Sequence, residues 1–286
     1  MVSQLKSPML ETVHATWNPT GARTGRWASR RPNLMNQPWV MKNLFKARDG
    51  FMIIDADFSQ IELRIMALLS GDESLLRWYA EGWDVHTQNA RDLFGVEKPT
   101  KNQRNLAKRF VYAVLYGAED ETIWSSLVVD FPSLSLTDVS RLKKRWNRAH
   151  PAITKYQRGQ LKIAYKHDYV EGPMSGRRLF FYGQVEPNKV YNTPNQDTGA
   201  VIVNGAVKRI NERIDWENTA IIAQVHDSIV LESRQPEWAY TMLIKEMQRP
   251  VTLNGSTISF PVDVSMGYDM RDLMDSKWGT GWLQAI

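Results

Sequence analysis

Cysteine is absent from all 286 residues, which excludes disulfides, zinc–thiolate centres and a thiol nucleophile. No apolar run reaches about 18 residues, and the opening MVSQLKSPMLE has no apolar core, so neither a membrane-spanning helix nor a secretion leader is indicated. Internal repeats and low-complexity tracts are missing as well. These absences lead to the expectation of an intracellular, cytoplasmic protein with no membrane role. What is present is ordinary for a folded domain: 43% hydrophobic and 23% charged residues, in a chain long enough for one large domain or two smaller ones. A net charge of +5 leans towards an anionic partner.

The most informative stretch is Asn102 to Gly117, NQRNLAKRFVYAVLYG. Thr100 and Gln103, spaced as an N-cap and its N3 partner just after Pro99, predict a helix start. Arg104, Lys108, Tyr112 and Tyr116 then recur every fourth residue and share one side. Cations near a helix N-terminus oppose the helix dipole, and a like-charged i,i+4 pair costs roughly a few tenths of a kcal/mol. A bound nucleoside triphosphate would offset that cost, with phosphates at Arg104 and Lys108 and sugar or base at Tyr112. Read structurally, the same side is a solvated basic face with two half-buried tyrosines, and the helix alone leaves both readings open.

Two further stretches carry acids on apolar segments. Phe51 to Ile54 predicts a short buried strand with Asp55 and Asp57 at its end, after which Ser59 opens a helix. Glu62 completes a Ser59-x-x-Glu62 capping box, a structural role that needs no ligand. Ala220 to Val225 and Ile229 to Leu231 flank His226-Asp227-Ser228, the pattern of a β-hairpin with an acid at its tip. Asp57 and Asp227, one carboxylate from each segment, form the smallest set that could bind two magnesium ions. Such ions sit about 3.5–4 Å apart and stabilise the attacking and leaving oxygens of a phosphoryl transfer.

The remaining elements follow from caps and periodicity. Asp72 and Asp84 predict the N-caps of helices 73–80 and 85–94, the second ended by Gly95 and carrying His86 in its first turn. Helices are expected over 119–129, 137–149 and on to about His167, a strand over Gly176 to Phe181, and a helix over 197–214 with Asn192 and Gln196 just ahead. The first forty residues read as loops and short extended pieces. Their arginines Arg23, Arg26, Arg30 and Arg31 suit a phosphate backbone or an exposed basic loop.

Three of these stretches, DADFSQIELR, RNLAKRFVYAVLYG and QVHDS, together resemble motifs A, B and C of family A DNA polymerases, the DNA polymerase I type, in order and at about the family's spacing. TGRWASRRPNLMNQP at 24–38, DVH at 84–86, GRRL at 176–179 and NTPNQDTGA at 192–200 extend the resemblance over nearly the whole chain. It implies an α+β fold, the palm-and-fingers part of a right hand, with an antiparallel palm sheet and helical fingers. The expected division is palm over 1–70, fingers over 71–187 and palm again over 188–286. The resemblance implies a template-directed DNA polymerase that adds deoxynucleotides to a primer 3′ end with two Mg2+ ions. Asp57, Asp227 and the Phe58 carbonyl would be metal ligands. Arg104, Lys108 and His86 would hold the triphosphate, with Lys108 also counted among the catalytic groups. Tyr112 would lie against the nucleotide's sugar and base, and Glu62, with Gln60 nearby, would bar a ribose 2′-hydroxyl. Tyr116 would stack near the templating position. Arg26, Asn36, Asn192, Gln196, Gln224 and His226 fall where the family touches primer–template DNA.

Departures from the family pattern are local. Ser228 stands where motif C usually has Glu, Ala113 where motif B usually has Gly, and Asn188 where many relatives have a template-contacting Arg, with Lys189 beside it. No stretch corresponds to a thumb or an exonuclease domain. The expectation is therefore half of a split polymerase, with a separate polypeptide supplying the thumb and perhaps an exonuclease. That partner would dock near Val2, Leu5, Met9, Leu10 and Val13. A single-subunit RNA polymerase relative, against which Glu62 argues, and a degenerate DNA-binding scaffold are the alternatives. Replication, repair and lesion bypass stay open.

Overall fold

The computed structural model describes residues 12–271 and 273–275. Along the chain run β1 (Thr16–Asn18), β2 (Ala28–Arg30), a 3-10 turn (Trp39–Leu44), β3 (Met52–Phe58), α1 (Ile61–Ser70), α2 (Glu73–Ala80), α3 (Val85–Phe94) and α4 (Lys101–Leu115). These are followed by α5 (Asp120–Leu127), α6 (Leu136–Ala149), α7 (Pro151–His167), β4 (Tyr169–Glu171), β5 (Arg178–Phe180) and α8 (Pro187–Asn211). The chain continues through β6 (Thr219–Val225), β7 (Ser228–Ser233), α9 (Pro236–Met247), β8 (Val251–Leu253), β9 (Ser256–Ile258), β10 (Val262–Gly267) and β11 (Met274–Asp275). Two compact units emerge: one from 1–61, 199–250 and 259–286, the other from 62–198 and 251–258.

The first unit is built on an antiparallel five-stranded sheet in the order β11-β10-β3-β7-β6. Strand alternation sorts its residues onto two faces. Ile54, Ala56 and Phe58 of β3 lie beside Leu231 and Ile229 of β7 and beside Met266, Val264 and Val262 of β10. Most of these are fully buried, and α9 packs on the sheet through buried Ala239, Met242, Leu243 and Met247. The opposite face carries Asp55 and Asp57 on β3, Ser228 and Glu232 on β7 and Asp263 on β10. The register that buries the apolar set therefore gathers the polar set, since a one-residue slip would exchange the faces.

The second unit is mainly helical, with the small ribbons β4–β5 and β8–β9. Its helix ends follow the sequence. Thr100 and Gln103 form the expected reciprocal capping box, Asp72 and Asp84 cap α2 and α3, and Gly95 closes α3 in the left-handed region. Asp72 also accepts a hydrogen bond from buried His150 Nδ1 at 3.1 Å, packed between Trp78 and Trp146.

Two expectations are corrected, and one element was not foreseen. The first strand runs to Phe58, so Asp55 and Asp57 lie within it; paired strands on both sides tolerate acids on its open face. The helix expected over 197–214 begins at Pro187 and passes through Pro194, placing Asn192 and Gln196 on the helix itself. Pro194 reads as a breaker in sequence, but its neighbours occupy local carbonyls: Thr193 Oγ1 donates to Lys189 O at 2.7 Å and Thr198 Oγ1 to Pro194 O at 2.8 Å. The β8–β9 ribbon had no counterpart among the expectations. Val2, Leu5, Met9 and Leu10 lie outside the described residues, while Val13 is half-buried.

Candidate functional site

The acids of the sheet come together through strand register. Asp57 stands beside Ser228 on β7 and Asp263 on β10, and the β6–β7 turn places Asp227 next to it, with Phe58 N donating to Asp227 O at 3.3 Å. The turn is two residues, His226 and Asp227, and His226 takes the left-handed conformation (φ 53°) that such tight hairpins require. A cavity of about 1130 Å³ opens over this face, lined among others by Asn36, Lys42, Asp55, Asp57, His226 and Asp227. Ser59 Oγ donates to Asp263 at the rim.

The electrostatics of the pair are unfavourable without a countercharge. Burial raises the Asp57 pKa, the charges of Asp227, Asp55 and Asp263 raise it further, and it reaches about 6. Asp57 remains accessible to the cavity; the surrounding strands desolvate it without covering it. Burial also raises Asp227, opposed by the positive charges of Arg26 and His226. Asp55 is raised by burial, opposed by a hydrogen bond from Ser228 and the charge of Lys42, and its Oδ1 has no hydrogen-bond partner. Glu232 on the same face is closed off differently: Arg48 N donates to it at 2.6 Å and Arg48 Nε at 2.7 Å. Among the described residues no three His, Asp or Glu side chains converge as a ready cage. The two carboxylates are hard oxygen donors, of the chemistry that suits a divalent cation of the Mg2+ or Ca2+ type.

In the helical unit, the α4 face forms as its spacing predicts, with Arg104 engaged by an acid and Lys108 exposed. Arg104 Nε donates to Asp84 Oδ2 at 2.6 Å and Nη2 to Oδ1 at 3.2 Å. Burial pushes the Asp84 carboxyl up, yet hydrogen bonds from Arg104 and Thr87 and the Arg104 charge outweigh it, holding Asp84 at about 2. His86, on the first turn of α3, is only 2% exposed and its ring lies 6.1 Å from that of Tyr112. Burial, then the charges of Lys108 and Arg104, lower it to about 4, so at neutral pH it is an uncharged ring beside two cations. Its two ring nitrogens have no hydrogen-bond partner, which leaves a buried donor and acceptor for a ligand.

A second knot surrounds Glu62. Tyr116 Oη donates to its carboxylate, Asn195 Nδ2 donates to Glu62 O at 2.8 Å, and Asn192 Nδ2 donates to Tyr116 O at 3.3 Å. Gly117 (φ 71°) makes the turn that aims Tyr116; a Cβ there would sit 2.8 Å from the Tyr191 ring. Gln196 is half-buried on α8. Gln60 takes the left-handed conformation (φ 57°) just before α1. Gln224 is buried on β6, its amide donating to His226 O.

The expected residues thus fall into two sets. Asp57, Phe58, Asp227, Arg26, Asn36, Gln60, Gln224 and His226 belong to the sheet unit; Glu62, His86, Arg104, Lys108, Tyr112, Tyr116, Asn192 and Gln196 belong to the helical unit. Sequence reasoning missed Asp263, which reaches Asp57 only through the pairing of β3 with β10, and the second role of Asp84 as partner of Arg104. Asp55, named with Asp57 from the sequence, shares its face because residues two apart on a strand do.

Comparison with known proteins identifies the family and the fold. Residues 1–272 match the model of DNA polymerase family A. DNA polymerase I of Deinococcus radiodurans is 29% identical over 95% of this chain, and the thermostable DNA polymerase I of Thermus thermophilus is 29% identical over 98%. The chain spans only 29% and 34% of those two relatives, about a third of their length. In fold it resembles the POL domain of Pol1 from M. smegmatis, solved in complex with DNA primer-template and dNTP, with a TM-score of 0.82 at 24% identity. That likeness covers 94% of this chain and 50% of the solved one. The α+β architecture with its antiparallel sheet is the one expected, and the chain belongs to DNA polymerase family A.

Proposed function

We propose that this chain carries the nucleotidyl-transfer centre of a template-directed DNA polymerase, extending a primer 3′ end with deoxynucleotides. The sheet unit is then the palm and the helical unit the fingers. The observation that carries the reading is the meeting of Asp57 and Asp227 on one accessible sheet face, both with raised proton affinity. Crowded carboxylates whose proton affinity stays raised despite nearby positive charge fit a cation site. Asp57, Asp227 and the Phe58 carbonyl would hold two Mg2+ ions. The chemistry supplied by such ions is neutralisation of the attacking and leaving oxygens of an in-line phosphoryl transfer.

The chain's own residues do the rest. Lys108 places a positive charge where negative charge grows on the departing pyrophosphate, a preorganised term that needs no rearrangement during reaction. Arg104 spends Nε and one Nη on Asp84, and its guanidinium keeps further N–H donors for a phosphate. Neutral His86 donates one ring N–H without adding charge, and Tyr112 beside it offers a flat face to sugar and base. Glu62, held by Tyr116, stands as a fixed obstruction to a ribose 2′-hydroxyl. Arg26, Asn36, Gln224, His226, Asn192 and Gln196 are assigned to the primer–template, where polar contacts read duplex shape more than sequence. Such a role sets the protein inside the cell with DNA.

The test is primer extension by the purified chain in excess over primer–template, offered one deoxynucleoside triphosphate at a time with Mg2+. Addition of the complementary nucleotide alone is expected; addition without regard to template, or none at any enzyme concentration, would overturn the reading. Processivity examines the expected second polypeptide. Release after a few additions, lengthened by a co-expressed partner, supports it, and long, salt-resistant products from this chain alone contradict it.

A further inference from the structure

The β4–β5 ribbon carries a row of aromatic rings that neither the fold nor the proposed reaction uses. Its inner face is seated: Val170 and Leu179 are buried with Ala164, Phe181 and Val190. Its loop is anchored to buried Asp197 of α8, with Ser175 Oγ donating at 2.8 Å and Arg177 Nη1 at 3.0 Å. Gly172 passes so close to the Asp197 carboxylate that no side chain fits there. The outer face is thereby held rigid. Register pairs Tyr169 with Phe180 and Glu171 with Arg178 on it.

Four rings follow one another across this face. His167 and Tyr169 have centroids 5.9 Å apart, Tyr169 and Phe180 5.3 Å, and Phe180 and Tyr182 5.9 Å with planes only 13° from parallel. The Arg178 guanidinium lies 5.0 Å from the Tyr169 ring. A cross-strand aromatic pair is an ordinary way to steady a ribbon, and Tyr169 with Phe180 needs no other explanation. Tyr182 does: it lies beyond the strand end and is 88% exposed, so it contributes little to folding.

Charge surrounds the row. Residues 151–182 hold six Lys and Arg against two acids, most of the excess in a chain of net charge +5. Lys155, Arg158, Lys162 and Lys166 are exposed and spaced to line one side of α7, the helix that leads directly into the rings. A cationic stripe running into a rigid ladder of exposed rings matches what unpaired nucleic acid requires, phosphates along the stripe and bases on the ring faces. A duplex cannot use the rings, because its base faces are already stacked. A protein partner would meet a strongly basic border around a small apolar area.

We propose that this ribbon and the α7 stripe bind single-stranded DNA, with bases stacking on Phe180 and Tyr182. This rests on the polymerase reading only in the strand's origin, which would be the unpaired template. The experiment is fluorescence anisotropy of a labelled short oligodeoxythymidylate with the whole chain, against a blunt duplex of equal length. Phe180→Ala with Tyr182→Ala should weaken single-strand binding tenfold or more, since each stacked base contributes about fivefold or more and two are lost. Blunt-duplex affinity should stay as in wild type, Tyr182→Ala alone should weaken single-strand binding with the circular-dichroism melt unchanged, and Tyr182→Phe should keep full binding. Lys162→Ala with Lys166→Ala should reduce the salt dependence of single-strand binding. Unchanged single-strand affinity in the double ring variant would overturn the proposal, as would a surface that serves a protein partner. If primer extension fails in wild type while the ring variants still lose single-strand binding, the polymerase reading falls and this one stands.

Discussion

The sheet unit and the helical unit treat charge in opposite ways. On the sheet, burial and then the charges of Asp227, Asp55 and Asp263 lift the Asp57 pKa to about 6. On the helices, Arg104 is answered by Asp84, which falls to about 2, and burial, then the charges of Lys108 and Arg104, lower His86 to about 4. In the first region carboxylates crowd one another on an accessible sheet face; in the second a cation and a carboxylate are already paired and donors are left over.

Within the helical unit, the largest effect should separate the two cations of α4. Lys108→Ala should slow nucleotide addition by about 100-fold, the usual loss of one preorganised charge or donor. Arg104→Ala should cost less in rate and more in nucleotide KM, because its guanidinium is shared with Asp84. Single-turnover extension over a nucleotide titration distinguishes them, and equal rate losses would erase the distinction.

Stability against pH should move in opposite directions in the two units. The folded Asp57 pKa of about 6 lies above its ordinary 3.8, so its contribution is present below about pH 4 and is lost as pH rises through 6. Asp57→Asn should therefore stabilise the protein at pH 7.5 and hardly at pH 4. His86 is lowered from 6.5 to about 4, so the unfolded chain takes the proton first and stability falls as pH drops from 6.5 towards 4. His86→Gln should flatten that acid limb. Denaturant unfolding of both variants across this range checks the signs, and parallel curves would contradict the assignment of either group.

The smallest effect concerns the balance itself. Asp84→Asn keeps a good helix cap and removes the charge, so stability should change by no more than about 1 kcal/mol. Nucleoside triphosphate affinity should rise as Arg104 is released. Calorimetry with a non-hydrolysable triphosphate reads both the release and its absence.

How much of this was legible beforehand follows from the range of each interaction. Thr100 with Gln103, Asp72, Asp84 and Gly95 were readable because a cap is decided within four residues. The β6–β7 hairpin was readable because two apolar runs flank a tight turn. Asp263 beside Asp57 and the Tyr116–Glu62 bond were not, since each joins residues that only the folded backbone brings together. Pro194 misled because local rules make proline a helix breaker, while α8 has residues on both sides to hold it. The two functional sets were named from motifs, but their contrasting electrostatics required burial, which no local pattern shows.

The account's central claim is that Asp57 and Asp227 serve a cation during nucleotide transfer. The most direct measurement is single-turnover nucleotide addition by wild type, Asp57→Asn and Asp227→Asn at equal primer–template occupancy, with melting recorded with and without Mg2+. The account predicts at least about a 1000-fold loss of rate, or roughly 4 kcal/mol of barrier, unchanged DNA affinity, and an Mg2+-dependent rise in melting temperature that wild type shows and both variants lack. Addition within about tenfold of wild type by either variant, with the Mg2+ effect on melting intact, would contradict it.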